Sequence, residues 1–414
     1  MSGTSSASMI NDQGTKSMRI GIDYTSAVRQ RAGIGRYTRE LVTALLTLDT
    51  SHHYTIFAAT GGLPKDRWPS EMVRLSGIRH RHLSLRGVPV SDDWLARLWH
   101  RVRLPIPVEL VTGHLDLFYS PDFTLPPTRD RVHTLLTVHD LSFMHHPDAF
   151  LPSLRRYLER VVPRSVKRAD VVLADSAHTG SDLGTLFGVS SDKVEVITPG
   201  VDARFRPKAP ADSADRRANV KRLRERYGIG DEPYVLSVGT LQPRKNYPRL
   251  IQAFARMKAN RRGSGATKSA PRLLIAGGTG WLYDDIVSEA DKHERVRLLG
   301  FVEDQDLPAL YREASLFAFP SLYEGFGLPV LEAMACGVPV VCSNTSSLPE
   351  VAGDAALLVD PLDVDAMGAA MDLALEDDDL RNRMIDRGLA QAARFTWDRS
   401  AQQLFDVITS WEGR

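Results

Sequence analysis

Short apolar runs alternate with amphipathic segments along most of the chain. In the first half of the sequence, the runs that resemble β-strands are Met18–Tyr24, Tyr54–Ala58, Leu115–Tyr119, Thr134–Val138 and Val171–Ala174. Helical periodicity lies between several of them, notably at about Arg36–Leu48 and at Leu151–Arg168. Because short apolar strands that alternate with helices are typical of a parallel sheet with crossover helices, this half predicts one doubly wound α/β domain.

The same alternation restarts in the second half of the sequence, at Tyr234–Val238. The strand-like runs that follow it are Leu273–Ala276, Val296–Leu299, Leu316–Phe319, Val338–Cys342 and Ala356–Val359. A last segment, Thr396–Trp411, has the apolar spacing of a helix. We therefore predict an α/β protein with two Rossmann-like doubly wound domains.

A change of composition between the two halves sets the predicted boundaries. Residues 206–226 are rich in Pro, Ala, Asp and Arg and lack a strand-like run, which favours a linker leading into a helix. Residues 1–17 are small and polar, so we expect a disordered tail there, and Arg261–Pro271 is typical of a flexible insertion. The predicted parts are an N-terminal domain over residues 18–204, a linker and helix over 205–230, a C-terminal domain over 231–394 and a final helix over 395–414.

Composition narrows the possible classes of protein. The chain has 414 residues, of which 43% are hydrophobic and 25% charged, which suits two or three globular domains. A net charge of +1 argues against nucleic acid as a partner. The two cysteines, Cys336 and Cys342, are too few for a disulfide framework and suit free thiols in a reducing compartment. No apolar run reaches the roughly 18 residues of a membrane span, and residues 1–17 do not resemble a signal peptide, so we expect a cytoplasmic protein.

The first candidate for ligand binding is the segment Gly33-Ile34-Gly35-Arg36, which comes after the first strand and opens a helix. Its glycines let the backbone approach a ligand closely, and free amide groups at a helix start attract anions. As a dinucleotide-binding fingerprint the segment is imperfect, because Thr38 stands at the third glycine position. A plain tight turn is the alternative.

A basic pair follows the first strand of the second domain, in the segment Gly239–Asn246. Arg244 and Lys245 precede a predicted helix, with Asn246 as its expected N-cap and Pro248 near its first position. Doubly wound sheets bind ligands at the carboxyl ends of their strands, and a guanidinium beside an ammonium suits the spread charge of a diphosphate. A solvated surface pair is the alternative.

Two glutamates, Glu324 and Glu332, flank a glycine-rich loop and the start of a helix at Pro329. On one helix, eight residues span about 12 Å. The carboxyl groups of a retaining glycosidase lie only about 5–5.5 Å apart, so we do not expect these two to be such a pair. Separate roles are favoured, with Glu324 near a sugar and Glu332 accepting hydrogen bonds from hydroxyl groups. Two surface glutamates are the alternative.

His139 ends the strand Thr134–Val138 of the first domain. At that position its ring could bond a sugar hydroxyl or hold a proton near neutral pH, although a structural histidine remains the alternative. His145 and His146 are interpreted as loop residues without a role.

Taken together, these motifs resemble those of the family-4 retaining glycosyltransferases, which have the two-domain GT-B fold. The segments that carry the resemblance are Gly33–Arg36, Thr137–Asp140, Pro199–Asp202, Gly239–Asn246, Ala276–Gly278 and Glu324–Glu332. The last segment is the Glu-x7-Glu signature of the family, and the similarity covers about Met18 to Trp411. Within the family the chain looks most like the mannosyltransferase-B-type enzymes of bacterial polysaccharide and O-antigen assembly.

The resemblance implies two domains that face each other across a cleft, with the final helix crossing back to the first domain. It implies that Arg244 and Lys245 bind the donor diphosphate and that His139 contacts the donor sugar. Glu332 would hold the ribose. The remaining residues that it implies for donor binding are Gly33 and Gly35 at the phosphates, Gly239 after the first strand of the second domain, Phe301 and Val302 at the base, and Glu324 with the amides of Gly325, Phe326, Gly327 and Leu328 at the sugar.

The expected reaction is transfer of a hexose, with mannose from GDP-mannose as the first choice, to a glycan, a lipid-linked or a small-molecule acceptor. Attack from the face that the diphosphate leaves would retain the configuration, and the β-phosphate could take the acceptor proton. We expect no metal and no cofactor, since the two cations can neutralise the leaving group. The alternatives are a non-catalytic subunit that binds nucleotide sugars, and an NAD(P)-dependent oxidoreductase.

One further segment, Asp92–Pro107, mixes tryptophans with arginines. Such a mixture could contact an anionic membrane surface that presents a lipid-linked acceptor, as a peripheral protein does. An amphipathic helix that packs Trp94, Leu95 and Leu98 into the fold is the alternative.

Overall fold

The computed structural model describes residues 17–31, 33–208, 214–257 and 270–411. The expected tail over residues 1–17 lies outside these ranges except for its last residue, and so does nearly all of the expected insertion at Arg261–Pro271. The described chain forms two compact units. Unit 1 contains the described residues through His139, Tyr157–Gly200 and the segment from Trp397 onward, and unit 2 contains Asp140–Arg156 and Val201–Thr396.

Unit 1 is built on a seven-stranded parallel sheet with the strand order β3-β2-β1-β4-β5-β6-β7. Its strands are β1 (Arg19–Asp23), β2 (His53–Ala59), β3 (Leu83–Val88), β4 (Leu117–Ser120), β5 (His133–Val138), β6 (Val171–Ala174) and β7 (Val194–Val196). The order reverses between β1 and β4. In doubly wound sheets this switch point is where ligands bind, outside the carboxyl ends of the strands.

Unit 2 repeats the same plan in a six-stranded parallel sheet with the order β10-β9-β8-β11-β12-β13. Its strands are β8 (Tyr234–Val238), β9 (Arg272–Ala276), β10 (Val296–Gly300), β11 (Leu316–Phe319), β12 (Val340–Ser343) and β13 (Ala356–Val359). Here the switch point lies between β8 and β11, the two strands that precede the Arg244–Lys245 pair and the Glu324 loop. The predicted fold of two Rossmann-like sheets is confirmed.

Helices connect these strands. In chain order the α-helices are α1 (Thr25–Arg29), α2 (Ile34–Leu48), α3 (Arg67–Ser76), α4 (Asp92–Ala96), α5 (Glu109–Thr112), α6 (Ser142–His145), α7 (Pro152–Arg168), α8 (Ala177–Phe187), α9 (Ala214–Tyr227), α10 (Tyr247–Arg256), α11 (Asp284–Ala290), α12 (Leu307–Glu313), α13 (Leu328–Ala335), α14 (Leu348–Ala352), α15 (Val364–Glu376), α16 (Asp378–Ala392) and α17 (Trp397–Thr409). Helix α4 continues as a π-helix over Arg97–Val102. None of the helices in the described ranges combines the length and the apolar character that crossing a membrane requires.

The central strands of unit 2 are apolar on both faces, which explains their uninterrupted hydrophobic runs. In β11, Leu316 and Ala318 contribute to one buried cluster, while Phe317 and Phe319 contribute to the cluster on the other side of the sheet. Helices cover both faces, so alternate residues that point to opposite sides are equally buried.

The final helix α17 belongs to unit 1 and completes its core. Trp397, Leu404 and Ile408 are buried in the same cluster as residues of α2, and Ser400 Oγ donates to the carbonyl of Thr198 at 2.6 Å. The predicted return of this helix to the first unit is therefore confirmed. Its apolar positions pack against the amphipathic face of α2, which removes both stripes from water.

The segment Asp92–Pro107 differs from the packed amphipathic helix given as one alternative. Trp94 is 57% exposed, so it does not pack into the fold, whereas Leu95 and Leu98 are half-buried. Ser91 caps α4 by accepting from the amide of Trp94, and Trp99 Nε1 donates to the carbonyl of Ile106 at 2.9 Å. The indole of Trp99 thereby ties the π-helix to the extended segment that follows it.

Candidate functional site

The loop after β8 carries the basic pair. A short 3₁₀ turn over Pro243–Lys245 leads into α10, and Pro248 lies in the first turn of that helix as predicted. Lys245 is buried, and the side chain of Arg244 is only 12% exposed. A solvated surface pair is therefore wrong for these two residues, because both are withdrawn from water.

Glu324 lies between the two cations. Its Oε1 accepts from Lys245 Nζ at 2.5 Å, and its Oε2 accepts from Arg244 Nη1 at 2.9 Å. Arg244 Nη1 also donates to the carbonyl of Tyr323 at 2.6 Å. The loops after β8 and β11 are thus joined by one buried carboxylate that is shared by two positive charges. We call Arg244, Lys245 and Glu324 the ion triad.

Charge and burial act against each other in the ion triad. Burial favours the neutral form of Glu324, but the charges of Arg244 and Lys245 lower its pKa to about 2. Burial also lowers the pKa of Lys245, which the charge of Glu324 offsets only in part. For Arg244, burial is outweighed by the charges of Glu324 and Asp140, and its pKa is raised. Arg244 and Glu324 are therefore ionised at neutral pH, and direct contact with Glu324 favours the charged form of Lys245.

Asn246 does not act as predicted. It stands at the N-cap position of α10, but its backbone is left-handed at φ 59° and its side chain does not bond the helix amides. Instead, the side-chain amide donates to the carbonyls of Pro320 at 3.0 Å and Pro361 at 2.7 Å. Asparagine tolerates this backbone conformation better than most residues, so it can tie the β8 loop to the end of β11.

Two serines that sequence reasoning missed, Ser346 and Ser347, form hydrogen bonds to the Glu324 loop. The amide of Glu324 donates to Ser346 Oγ at 2.9 Å, while Ser347 Oγ donates to the carbonyls of Glu324 at 2.9 Å and Phe326 at 2.7 Å. Both serines follow β12, about 20 residues away in sequence, in a run that carries no motif. Only the parallel order of β11 and β12 brings them beside this loop.

Helix α13 starts immediately after the loop. Gly327 stands at its N-cap position with φ 117°, which a side chain rarely permits, and Pro329 lies in the first turn. Glu332 is buried within this helix. After β10, Phe301 is 42% exposed and Val302 is buried. The roles assigned to these residues, to Gly239 and to the amides of Gly325–Leu328 stay predictions.

Two histidines without a predicted role lie beside the ion triad. The ring of His145 stacks on Tyr323 with 5.0 Å between the ring centroids, and His146 meets the same ring edge-on at 6.1 Å. Their segment is anchored at its other end, where Trp281 Nε1 donates to the carbonyl of Ala149 at 2.7 Å. Sequence reasoning missed this because the segment follows β5 of unit 1 but folds with unit 2.

His139 forms a separate charged pair in unit 1. Its Nδ1 lies 2.8 Å from Asp175 Oδ2, and its Nε2 lies 3.1 Å from the carbonyl of Pro121. Burial lowers the pKa of His139, but the charge and hydrogen bond of Asp175, with smaller contributions from Asp122 and Pro121, raise it to about 9. The imidazolium therefore donates from both nitrogens. Its contact with a donor sugar stays a prediction.

The other residues predicted in unit 1 lie at the start of α2. A short helix, α1, separates them from β1, a detail that the sequence did not indicate. Gly33 precedes α2 with φ 59°, and a Cβ at Gly35 would lie 2.1 Å from the carbonyl oxygen of Gln30. Glycine at position 35 is thus required by close backbone packing, and a role of Gly33 and Gly35 at phosphates stays a prediction.

Two acidic side chains at the carboxyl edge of the unit 1 sheet were also missed. Asp23 ends β1, and burial raises its pKa to about 6. Asp122 follows β4, and burial raises its pKa as well, against the opposing charge of His139. Within the described ranges, no group of three or more His, Cys, Asp or Glu side chains is placed to hold a metal ion.

Comparison with known proteins places the chain in a family. Residues 31–205 match the family model described as Glycosyltransferase Family 4, and residues 219–391 match the model described as Glycosyl transferases group 1. The O-antigen chain mannosyltransferase B of Escherichia coli is 34% identical over 380 residues, which cover 91% of this chain and 95% of that protein.

Two solved structures show the fold. The sucrose-phosphate synthase of Thermosynechococcus elongatus has a TM-score of 0.70 at 21% identity, over 95% of this chain and 98% of that one. Anabaena HepE in complex with UDP and glucose has a TM-score of 0.69 at 19% identity, over 95% of this chain and 100% of that one.

Two Rossmann-like sheets and these structural neighbours show the GT-B fold, and the two family models with the mannosyltransferase B relative define the class as a glycosyltransferase. More narrowly, the chain belongs to glycosyltransferase family 4. The NAD(P)-dependent oxidoreductase alternative is therefore wrong.

Proposed function

We propose that this enzyme transfers mannose from GDP-mannose to a glycan or lipid-linked acceptor, with retention of configuration and without a metal ion. The ion triad is the observation that carries the proposal. Arg244 and Lys245 each contact the carboxylate of Glu324, and these three residues lie at the switch point of the unit 2 sheet. The name of the mannosyltransferase B relative supports mannose as the sugar.

The chemistry follows from the leaving group. Cleavage of the bond between the sugar and the diphosphate concentrates negative charge on the diphosphate, and fixed cations in a dry site stabilise that charge without reorganising. Arg244 and Lys245 are already fixed by Glu324, so little conformational freedom is lost when the donor binds. A divalent ion would be redundant in this role.

Glu324 suits a positioning role better than a covalent one. With a pKa of about 2 and a cation on each oxygen, it is a weak base and a poorly available nucleophile. We therefore propose that the acceptor hydroxyl attacks from the face that the diphosphate leaves, which gives retention, and that the β-phosphate takes the acceptor proton. Glu332 would bind the ribose hydroxyls from its position in α13.

The acceptor is proposed to be held at a membrane surface. Trp94 and Val102 are exposed in unit 1, and Arg97 and Arg101 are exposed between them. Apolar side chains interspersed with arginines are typical of proteins that rest on an anionic lipid surface.

The first test measures binding of GDP, UDP, ADP and dTDP by the shift that each causes in thermal unfolding. A ligand at 100 times its Kd adds about 2.7 kcal/mol to the free energy of unfolding, which such a measurement detects. We expect GDP to stabilise most, GDP-mannose to be consumed, and the product anomer to match the donor by NMR. Chelator should leave turnover unchanged. A preference for UDP would overturn the donor, an inverted product would overturn retention, and nucleotide binding without turnover on any acceptor would favour a non-catalytic subunit.

A further inference from the structure

A cationic pocket lies on the surface of unit 1. It has a volume of about 340 Å³ and is lined by Arg103, Arg164 and Arg168 together with Trp99, Leu104 and Pro105. Arg160 lies one turn from Arg164 on α7. We call Arg103, Arg160, Arg164 and Arg168 with this cavity the arginine pocket.

Two distant parts of the sequence build the arginine pocket. On α7, Arg160, Arg164 and Arg168 are four residues apart, so they share one face of the helix. Arg103 comes from the end of the π-helix, where its backbone is left-handed at φ 60°. Arg168 is fixed by bonds from Nη1 to the carbonyl of Leu125 at 2.9 Å and from Nη2 to that of Pro126 at 2.7 Å.

The charges of the arginine pocket are not neutralised within the described chain. None of its four arginines forms an ion pair among the described residues, and Arg103 and Arg160 are close enough to lower the pKa of Arg164, after the larger effect of burial. Burial and the charge of Arg168 lower the pKa of His100 to about 4, so this lining residue is neutral at neutral pH. Like charges at this spacing are unfavourable on a helix, and an anion in the pocket would relieve their repulsion.

The surroundings of the pocket distinguish between kinds of anion. Val102 is 63% exposed, Leu104 37% and Ile106 39%, and all three flank Arg103 in sequence. A soluble phosphate gains nothing from exposed aliphatic side chains. A lipid headgroup offers both a phosphate for the guanidinium groups and an apolar interior for the aliphatic and tryptophan side chains.

We infer that the arginine pocket binds the phosphate of an anionic lipid headgroup, with Trp94, Val102, Leu104 and Ile106 entering the membrane interface. This site would hold unit 1 against the surface that presents the acceptor. This purpose of the lipid site rests on the proposed function. Binding of the lipid itself does not, because it requires neither donor nor turnover.

Cosedimentation of the full chain with vesicles tests the inference. We expect binding to vesicles of phosphatidylglycerol and phosphatidylcholine, and much weaker binding to phosphatidylcholine alone. Arg164→Gln should weaken binding to the anionic vesicles about fivefold, the effect expected for one basic residue at such a surface. The matched control is Arg131→Gln, which removes another exposed arginine of unit 1 and should leave binding unchanged.

A second pair of variants tests the apolar rim. Val102→Ser should weaken vesicle binding, whereas Val73→Ser, at a valine on α3 that is even more exposed, should not. Glycerol phosphate in solution should compete poorly with vesicles. Equal binding by Arg164→Gln and Arg131→Gln, or by the two valine variants, would overturn the inference. Saturable binding of glycerol phosphate with no vesicle binding would identify a soluble phosphate as the ligand instead.

The same preparations separate this inference from the proposed function. Arg164→Gln should bind GDP as the parent protein does. If GDP binds and vesicles do not, the lipid site and the membrane-held acceptor are wrong, while the transferase proposal stands. If vesicles bind and no nucleoside diphosphate does, the transferase proposal fails while the lipid site stands.

Discussion

The two sheets of this protein carry buried charges at equivalent edges, but they balance them differently. In unit 1, one imidazolium meets one carboxylate, and both ring nitrogens of His139 are engaged. In unit 2, the carboxylate of Glu324 contacts two cations, Arg244 and Lys245. The first arrangement pairs one charge of each sign, whereas the second has two positive charges in contact with one negative charge. The same fold thus provides a closed pair, His139 with Asp175, in one unit and the proposed anion-binding site in the other.

The difference shows why position in a doubly wound fold does not decide the role of a residue. His139 and Lys245 both follow the carboxyl end of a strand and both are buried. Each contacts one carboxylate, but Asp175 is paired with His139 alone, whereas Lys245 shares Glu324 with Arg244. A buried charge with a full complement of partners stabilises local structure, while a site with surplus charge favours a ligand of opposite sign.

The largest expected effect comes from removing the shared carboxylate. Glu324→Gln should lower the free energy of unfolding by about 3–5 kcal/mol, because it leaves two buried cations without their counter-ion. Urea unfolding measures this loss. Asp365→Asn is the control, since its pair with Arg256 is exposed and should contribute about 0–1 kcal/mol. Equal losses for the two variants would mean that the ion triad is not a stabilising unit.

Removing one cation should affect turnover more than folding. Lys245→Ala leaves Glu324 paired with Arg244, but it removes one of the two fixed charges that we propose to stabilise the leaving diphosphate. We expect kcat to fall by about 100- to 1000-fold, as for the loss of a single preorganised donor to a developing anion. Release of GDP from GDP-mannose measures this. Lys292→Ala, at an exposed lysine paired with Glu289, is the control, and turnover near that of the parent would contradict the assignment.

The closed pair of unit 1, His139 with Asp175, should make the free energy of unfolding depend on pH. The pKa of His139 is raised in the folded protein from 6.5 to about 9, so its contribution to stability is full below pH 6.5 and is lost as the pH rises through about 9. The difference corresponds to about 3 kcal/mol. Asp175→Asn should lower this pKa and flatten the loss, as measured by urea unfolding between pH 6.5 and 9. An unchanged slope would show that the pair does not hold the proton.

The ion triad should respond at the opposite end of the pH scale. The pKa of Glu324 is lowered from 4.5 to about 2, so its contribution is present above pH 4.5 and is lost as the pH falls towards about 2. Glu324→Gln should remove this acid sensitivity, whereas Asp175→Asn should retain it. Unfolding curves of both variants over this range make the comparison, and an identical acid response in both would show that Glu324 is not its source.

The smallest effect is expected from removing a hydrogen bond that supports the Glu324 loop. Ser346→Ala removes one hydrogen bond to the amide of Glu324, which should cost about 1 kcal/mol of stability. Turnover should fall less than in Lys245→Ala, because both cations stay in place. Thr47→Ala, which loses an exposed hydroxyl bond within α2, is the control. A loss as large as that of Glu324→Gln would show that the loop, and not the charge, is the main support.

Apolar runs predicted most of the strands well, and four of them, β6, β8, β11 and β13, begin and end where the sequence indicated. The strands that were missed, β3 and β7, are the two edges of the unit 1 sheet. Both are only half-buried or exposed along their length, as in the pattern of Leu83–Val88. An edge strand with one solvent-facing side carries polar residues, so it lacks the continuous hydrophobic run by which buried strands are recognised.

The site was predictable as a set of loops but not as a set of contacts. Glycines, Pro248 and Pro329 placed Arg244, Lys245 and Glu324 next to strand ends and helix starts. Their pairing joins positions about 80 residues apart, and no local pattern encodes it. For the same reason the supports from Ser346, Ser347 and Tyr323 were invisible, since each depends on which strands are neighbours and not on its own sequence context.

The place of α17 in the core of unit 1 has a consequence for how the protein is made. Trp397, Leu404 and Ile408 are buried beside side chains of α2, which come from the beginning of the chain. During synthesis, α2 and its sheet leave the ribosome hundreds of residues before the helix that covers them. The apolar face of unit 1 that α17 covers therefore stays exposed until unit 2 has been translated. The unit that is synthesised first is thus the last to complete its core.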